Sequence, residues 1–248
     1  MNDDVKPKLV KSAIRTVNLF KFFADAKRPL TLAEISEGMK APKSSCYELI
    51  QTLSHVGFML NFEDGKSYYP SRRLFDIAEQ INTYNPIKLK VNGKLKALRD
   101  ETGETIFVGR LQGKQVVFLE VFDGTHIIRY TANIGDLKSI HASALGKALL
   151  GGLDEESRDK VIAGLKLVRY NENTITSKAE FKNNIIEGGR KGFYSTVGEH
   201  LPDVMGIACA LRIQGNLLAF GMAGPIPRME KNLGEYSQAL IKVVDDLS

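Results

Sequence analysis

The stretch Ala41-Pro-Lys-Ser-Ser-Cys-Tyr-Glu-Leu-Ile-Gln-Thr-Leu-Ser-His55 has the pattern of an amphipathic helix. Pro42 suits the first turn of such a helix, because a backbone N–H has no intrahelical partner there. A helix that only packs on a core would show the same pattern, so the flanking sequence has to decide its role. Apolar residues recur at the spacing of one helix face, and the opposite face carries groups able to meet phosphates and base edges: the apolar set is Cys46, Leu49, Ile50 and Leu53, and the polar set is Lys43, Ser44, Tyr47, Glu48 and Gln51.

Two further helices are predicted before this stretch. Thr31-Leu-Ala-Glu34 is a capping box, in which the hydroxyl and the carboxylate satisfy free backbone N–H groups, and it predicts the start of the second helix. Gly38 is expected to allow the sharp turn from the second helix into the third. Ser12 is the expected N-cap of the first helix. The residues expected on the buried sides are Ile14, Val17, Phe20 and Phe23 in the first helix and Leu32, Ile35 and Met39 in the second.

Two short strands are predicted after the third helix. The segments Gly57–Phe62 and Lys66–Pro70 flank Asp64-Gly65, which is a hairpin turn signal. Three helices followed by a two-stranded wing describe a winged helix-turn-helix, in which the third helix is the recognition helix. We assign this domain to residues 11–72, after a flexible tail at residues 1–10.

The charge distribution agrees with a DNA-binding role for the first part of the chain. Residues 1–75 hold 12 Lys/Arg against 8 Asp/Glu, whereas the remaining residues hold 22 against 21, within a net charge of +5. A positive excess is the expected electrostatic footprint of a phosphate-binding surface, although a solvated basic surface would also show it.

The remaining composition bounds the location of the protein. No apolar run approaches the roughly 18 residues that a membrane-spanning helix needs, and the polar N-terminus lacks the apolar core of a signal peptide. Cys46 and Cys209 lie in apolar contexts and suggest no disulfide framework, which is typical of a reducing compartment. We therefore expect a cytoplasmic protein without a membrane partner.

A linker helix is predicted after the wing, and we assign it to residues 73–92. Asn85-Pro86 interrupts this segment, and a second helical pattern then continues to Gly103. A narrow apolar seam of this kind is either a dimer contact or a surface that packs on the following domain. The seam consists of Leu74, Ile77, Ile81 and Tyr84, and the second helical pattern contains Val91, Leu95 and Leu98.

Residues 93–248 mix helices with antiparallel strands, which predicts an α+β domain whose sheet can cup a small molecule. Helices are predicted from His141, near residues 154–163 and 177–191, and from about Glu230 to Leu247. Strands are predicted at Thr105–Arg110, Gln115–Phe122, His126–Ala132, Phe193–Val197, Met205–Arg212 and Leu217–Ala223.

Three motifs are distinctive: Pro42-Lys-Ser-Ser45, His141-Ala-Ser-Ala-Leu-Gly-Lys147, and Gly192-Phe193 through Gly206-Ile-Ala208. With these motifs, the chain from Ser12 to Leu247 resembles the IclR family of bacterial transcription regulators. The resemblance implies a winged helix-turn-helix joined by a helix to a GAF-like effector domain. It further implies homodimers, often paired into tetramers, which bind a double-stranded DNA operator and control a catabolic operon in response to a small organic acid or an aromatic metabolite. No cofactor, metal ion or catalytic residue is expected.

The resemblance also assigns the DNA-reading residues. Arg15 and the wing residue Lys66 match phosphate contacts. Glu48 stands where many members have Arg, and its carboxylate either accepts from a cytosine amino group or is simply solvated. The residues that match the reading face of the recognition helix are Lys43, Ser44, Ser45, Tyr47, Glu48 and Gln51.

The effector pocket is likewise implied by the resemblance. Backbone N–H groups at Ser143–Leu145 would bind a ligand carboxylate, because helix N-termini attract anions. Members that bind two- or three-carbon keto acids have Asp at position 196, Cys at 206 and Ser at 221 and 223, so this pocket should be roomier and less polar. An aromatic or longer acid is therefore expected. The matching residues are Ile127, Tyr130, Lys138, Ser143, Ala144, Leu145, Thr196, Val204, Gly206, Gly221 and Ala223.

Two alternatives come from other classes of protein. The first is a metabolite-processing enzyme in which Cys209 or Ser143 acts as a nucleophile with His141 as its base. The second is a scaffold that dimerises through residues 71–100 and has no DNA role. The four histidines and two cysteines show no metal-ligand spacing, and neither GxGxxG nor GxxxxGK[ST] is present.

Overall fold

The computed structural model describes residues 9–62 and 66–248. The chain divides into two compact units between Tyr84 and Asn85. The division lies where Asn85-Pro86 interrupts the helices. The helix that begins at Pro86 is continuous to Thr102, so the boundary expected between residues 92 and 93 falls inside a helix.

The first unit has the winged helix-turn-helix architecture that the sequence predicts. Its short antiparallel sheet has the strand order β1-β3-β2, so that the third strand pairs with both others. The expected hairpin turn at Asp64-Gly65 lies outside the described residues. The elements are α1 (Lys11–Ala26), β1 (Leu30–Thr31), α2 (Leu32–Gly38), α3 (Lys43–His55), β2 (Met59–Asn61), β3 (Ser67–Pro70) and α4 (Arg73–Thr83).

Local details of α1 and α2 differ from the sequence predictions. Ser12 is not an N-cap: α1 begins at Lys11, and Val10 occupies the capping position without a side-chain hydrogen bond. Ile14 and Val17 are 41% and 53% exposed, because only the C-terminal half of α1 has fully buried side chains. The capping box of Thr31 and Glu34 is confirmed.

Gly38 serves close packing rather than the turn. A Cβ atom there would stand 2.2 Å from Cζ of Phe22, so only glycine lets this ring lie against α2. The residue with a left-handed backbone in the turn is Lys40, with φ of 49°. The turn between α2 and α3 is therefore made by the left-handed backbone of Lys40. Gly38 is instead required by the close packing of Phe22 from α1.

The second unit contains a six-stranded antiparallel sheet in the order β6-β5-β4-β9-β8-β7. The helix expected to run from Glu230 to Leu247 is divided at Asn232 into two helices. The elements are α5 (Pro86–Thr102), β4 (Thr105–Gln112), β5 (Gln115–Phe122), β6 (Leu137–Ser139), α6 (Ala144–Gly151), α7 (Glu155–Ala163), α8 (Lys178–Lys191), β7 (Tyr194–Val197), β8 (Val204–Ile213), β9 (Asn216–Pro225), α9 (Ile226–Lys231) and α10 (Leu233–Asp245).

Helices cover both faces of this sheet. Along β8, Ile207 and Cys209 pack with α5 and α10, whereas the intervening Ala208 packs with α6 and α8. This alternation follows from the two-residue period of a strand. The unit is thus a three-layer α/β domain, as the expected effector domain requires, and α6 lies directly on the sheet.

The strand expected at His126–Ala132 is not formed. The carbonyl oxygen of Tyr130 accepts a hydrogen bond from Oγ1 of Thr105 at 2.5 Å, and β6 occupies the place beside β5. Ile127 and Ile128 are 97% and 73% exposed, so the segment has no alternation of burial. Within residues 9–62 and 66–248, no strand pairs with this segment.

Candidate functional site

The outer face of α3 brings together most of the residues predicted to read DNA. Cys46, Ile50 and Leu53 are buried on the inner face. Ser45 lies between the two faces and is half-buried. The exposed residues are Lys43, Ser44, Tyr47, Glu48 and Gln51. The helix therefore presents a polar surface of short, planar and charged groups, with Tyr47 48% exposed among them.

The contacts beneath α3 hold this surface in place. Cys46 and Ile50 pack in one cluster with Leu19 of α1 and Ile35 of α2. Oγ of Ser36 donates a hydrogen bond to the carbonyl oxygen of Ala41 at 2.7 Å, which fixes the turn between α2 and α3. The orientation of α3 is thus set by the buried core and by a local side-chain bond.

The two predicted phosphate contacts outside α3 are also exposed. Arg15 lies in the second turn of α1, near the Cys46 thiol. Burial raises the pKa of this thiol, and the positive charge of Arg15 offsets part of that increase. Lys66 directly precedes β3 and is exposed. Both residues therefore remain candidates for contact with a DNA backbone.

The second candidate site lies at the N-terminus of α6. Ser143 is the N-cap: its Oγ accepts from the backbone N–H of Gly146 at 3.2 Å and donates to the carbonyl oxygen of Ser139 at 2.6 Å. The first turn of a helix leaves further backbone N–H groups without intrahelical partners. With the partial positive charge of the helix N-terminus, these groups suit a carboxylate.

His141 braces the loop that leads into α6. Its Nε2 lies 3.0 Å from the carbonyl oxygen of Val168, which only accepts, so Nε2 carries the proton. Its Nδ1 then accepts from Oγ of Ser139 at 2.9 Å. Burial lowers the pKa of His141, in agreement with a neutral ring. Both ring nitrogens are engaged with protein groups, so His141 has a structural role.

A cavity of about 70 Å³ opens beside this N-terminus. Nine of the eleven predicted effector residues line it, but Ile127 and Gly221 do not. Ile127 points into solvent, and Gly221 lies beneath Leu145, where a Cβ atom would stand 2.7 Å from the carbonyl oxygen of Ile207. The predicted residues in the lining are Tyr130, Lys138, Ser143, Ala144, Leu145, Thr196, Val204, Gly206 and Ala223.

The sequence did not identify the apolar wall of the cavity. Phe107 and Phe118 stack with ring centroids 4.8 Å apart, and Tyr130 meets Phe107 edge to face at 5.5 Å. Nζ of Lys138 stands 5.7 Å from the ring centroids of both Phe118 and Tyr130. The remaining unpredicted lining residues are Ser139, Ala142, His200, Leu201, Ile207 and Met222.

A buried ion pair anchors α6 behind the cavity. Lys147 is fully buried, and its Nζ donates to Oε1 of Glu199 at 2.5 Å and to the carbonyl oxygen of Ser195 at 3.0 Å. Burial lowers the pKa of Lys147 and raises that of Glu199, while their mutual attraction opposes both shifts. The pair ties α6 to β7 and to the loop that carries His200.

The geometry does not support the enzyme alternative. The Ser143 hydroxyl is bonded to backbone groups rather than to His141. Cys209 belongs to the core on the α5 and α10 face, and burial raises the pKa of its thiol to about 12. Within residues 9–62 and 66–248, no three His, Cys, Asp or Glu side chains group as metal ligands, and no helix is long and apolar enough to cross a bilayer.

Comparison with known sequences accounts for both units. The sequence profile described as "Bacterial transcriptional regulator IclR C-terminal" matches residues 81–248, and the profile described as "IclR helix-turn-helix domain" matches residues 12–59. The transcriptional repressor IclR of Escherichia coli K12 is 24% identical over 257 aligned positions, which cover 96% of this chain and 89% of that protein.

Solved structures share the fold. A transcriptional regulator from Rhodococcus sp. RHA1 has a TM-score of 0.78 at 19% identity, with 96% of this chain and 97% of that chain covered. An IclR homologue from Microbacterium hydrocarbonoxydans, complexed with 4-hydroxybenzoate, has a TM-score of 0.72 at 20% identity, with 96% and 99% covered. The profile that matches more than half of this chain describes transcription regulators, not enzymes. The chain therefore belongs to the IclR family of DNA-binding transcriptional regulators.

Proposed function

We propose that this regulator binds a partly palindromic operator in the cytoplasm and controls a catabolic operon. The observation that carries the proposal is the exposed polar face of α3, which is held on a buried core. One α3 helix enters each major groove, while Arg15 and Lys66 contact phosphates. In a two-fold symmetric protein, the paired half-sites follow from the symmetry.

We also propose that the protein forms a homodimer through α4. Two such dimers can pair further into a tetramer. Among its described residues, none is buried, although apolar side chains recur at helical spacing. Ile77 is 38% exposed, Ile81 is 70% exposed and Tyr84, at its C-cap, is 75% exposed, and the three lie on one face of the helix. A contiguous apolar surface of this kind is typical of a contact between protein chains.

The effector is proposed to be an aromatic or longer-chain organic acid. Its carboxylate binds the free N–H groups at Ser143–Leu145, with Lys138 as a nearby cation. The aromatic wall of Phe107, Phe118 and Tyr130 receives the apolar body. The 4-hydroxybenzoate in the related homologue is an acid of this class.

The cavity volume bears on the size of the effector. A volume of about 70 Å³ holds only a few water molecules, so a keto acid the size of glyoxylate fits without any movement. A benzoate gains room when the side chains at the mouth move outward. Leu201 is 43% exposed and Tyr130 is half-buried, so both have space to do so. The effector changes DNA affinity only by binding the DNA-competent and incompetent states unequally.

Operator binding tests the DNA-reading surface. Fluorescence anisotropy with the flanking intergenic DNA would compare Gln51→Ala and Lys43→Ala with the wild type. Gln51→Ala should cost about 1–3 kcal/mol at its operator if it reads a base edge, and Lys43→Ala should reduce the salt slope by about one. Lys21→Ala, an exposed lysine on α1, is the charge-matched control. Unchanged affinity in both α3 variants would remove this helix from the interface.

Calorimetry tests the effector assignment. Benzoate and glyoxylate would be titrated separately into the full-length protein. Benzoate should bind and alter operator affinity, because the cavity wall is aromatic. Tight binding of glyoxylate with no response to benzoate or to any longer acid would refute the assignment while leaving the DNA-binding role intact.

A further inference from the structure

The imidazole ring of His200 lines the effector cavity but takes part in none of the interactions described above. The ring packs edge to face on Tyr170, with the two centroids 4.4 Å apart and the planes at 74°. Tyr170 in turn stacks on the buried ring of His141 at 5.8 Å, and both nitrogens of that ring are bonded to protein groups. His200 is therefore held in a row of three rings, whose far end is anchored in the loop before α6.

Neither ring nitrogen of His200 forms a hydrogen bond with a residue in the described ranges. Nδ1 is fully enclosed by protein, so no ligand reaches it. Nε2 is not enclosed, and the residue as a whole is half-buried. The accessible edge of the ring, which carries Nε2, is therefore the edge that lines the cavity. A polar atom in a mostly apolar cavity wall is the kind of group that fixes the orientation of a ligand.

The surroundings of His200 keep its ring neutral. Burial lowers the pKa of His200, and the nearby Lys138 and His141 lower it further. A neutral imidazole has one donor nitrogen and one acceptor nitrogen, so Nε2 either donates or accepts one hydrogen bond. The partner of Nε2 therefore does not need to carry a charge.

The chemistry of this wall restricts the ligand group that meets Nε2. A hydroxyl group both donates and accepts, so it bonds with Nε2 in either tautomer. An ammonium group would be repelled by the neighbouring Lys138, and a second carboxylate only accepts, so it would require the proton on Nε2. A methyl group would displace water from Nε2 without replacing its hydrogen bond.

These observations assign a selective role to His200, and the assignment rests on the effector class proposed above. We propose that His200 is a specificity-determining residue, whose Nε2 forms a hydrogen bond with a hydroxyl group carried on the apolar body of the acid. The carboxylate of the same acid remains at the N-terminus of α6. Acids that carry the hydroxyl group should therefore bind more tightly than acids of the same size that lack it.

Titration calorimetry on the full-length protein tests this with paired ligands. Each of the three hydroxybenzoate isomers is compared with the benzoate that carries a methyl group at the same ring position. At least one hydroxybenzoate should bind the wild type about tenfold more tightly than its methyl counterpart, which is the gain expected from one hydrogen bond.

Two variants of the same residue separate the hydrogen bond from packing. His200→Phe keeps a ring beside Tyr170 but removes both nitrogens, so it should lower hydroxybenzoate affinity to that of the methyl counterpart. His200→Gln places an amide group near the position of Nε2 and should retain part of the preference. A role limited to supporting the loop would weaken both members of a pair equally. If His200→Phe does not fold, His200→Leu takes its place.

His55→Phe, at an exposed histidine of the other unit, is the matched control and should keep the wild-type preference. Equal affinities within all three ligand pairs in the wild type would overturn the proposal, as would a preference that survives in His200→Phe. Tighter binding of benzenedicarboxylates than of every hydroxybenzoate would assign Nε2 to an anion and would also overturn it. In these outcomes an aromatic acid still binds, so the proposed effector class stands. Absence of binding by every aromatic acid would instead refute that class, and this inference with it.

Discussion

Two glycines that sit on the same face of the sheet should respond in opposite ways to a single added methyl group. A Cβ at position 206 would lie 3.4 Å from Oγ1 of Thr196 and 3.6 Å from Cβ of Ala144, which are ordinary contacts. A Cβ at position 221 would lie 2.7 Å from the carbonyl oxygen of Ile207, which real Cβ atoms essentially never approach so closely. Gly206→Ala and Gly221→Ala therefore form a matched pair.

The magnitudes follow from these distances. Gly206→Ala should stabilise the fold by about 0.4–1 kcal/mol, because alanine restricts the unfolded chain and meets no clash. Gly221→Ala should cost about 1–3 kcal/mol through overpacking against backbone. For a chain of this size, about 1 kcal/mol corresponds to about 2–4 °C in Tm. The two variants should therefore separate clearly in a thermal scan.

Benzoate affinity should be lowered in Gly206→Ala, although this is the more stable of the two variants. The methyl group of Gly206→Ala projects into the effector cavity between Thr196 and Ala144, so benzoate affinity should fall by about 5–150-fold, the equivalent of a 1–3 kcal/mol steric cost. Operator affinity without effector should not change. Scanning calorimetry, titration calorimetry and anisotropy on the full-length variants measure the three quantities. If Gly206→Ala destabilised the protein as Gly221→Ala does and kept wild-type benzoate affinity, position 206 would not line the cavity.

Three further predictions concern other parts of the chain. Lys147→Met should lower the free energy of unfolding by about 3–5 kcal/mol, because it leaves Glu199 buried without a counter-charge. Adding Glu199→Leu should recover much of this loss, as measured by urea denaturation. If the single and the double variant lost the same free energy of unfolding, the unpaired charge would not be the cause. Burial holds the folded-state pKa of His141 below its unfolded value of about 6.5, so its contribution to stability is lost as the pH falls below that value, and His141→Asn should flatten the pH profile of unfolding in this window. An unchanged slope would contradict this. Glu48→Arg should change the preferred base pair at one position of each half-site, measured by selection from a randomised operator; a uniform gain in affinity would indicate a merely solvated carboxylate.

Elements with strong local signals could be predicted from the sequence. The capping box fixed the start of α2, and the apolar spacing of α3 identified its buried face, because both depend on residues close together in the chain. The two-residue strand β1 and the three-residue strand β6 were missed, since alternation cannot be detected over so few residues.

The effector cavity was predicted in part, for a different reason. Residues 105–109 of β4 are all buried, so no alternation of polarity indicates that Phe107 faces the cavity. His200 and Leu201 lie on a loop whose position depends on the distant Lys147–Glu199 pair. Contacts between residues far apart in sequence leave no periodic signal in either segment. The Ser143–Leu145 segment was identified because its motif is contiguous.

The short pairing between β1 and β3 has a mechanical consequence. Leu30 pairs with Tyr68 and Thr31 with Ser67, and Thr31 also caps α2. The wing strand is thereby joined through backbone hydrogen bonds to the residues that begin α2, the helix that precedes α3. We therefore expect the distance between the wing and the recognition helix to stay constant. The backbone amides of the paired residues in β1 and β3 should exchange with deuterium only when the whole winged helix-turn-helix unfolds. Related regulators would then acquire different operator preferences by changing the side chains of the wing and the recognition helix, while the backbone spacing between these two elements stays the same.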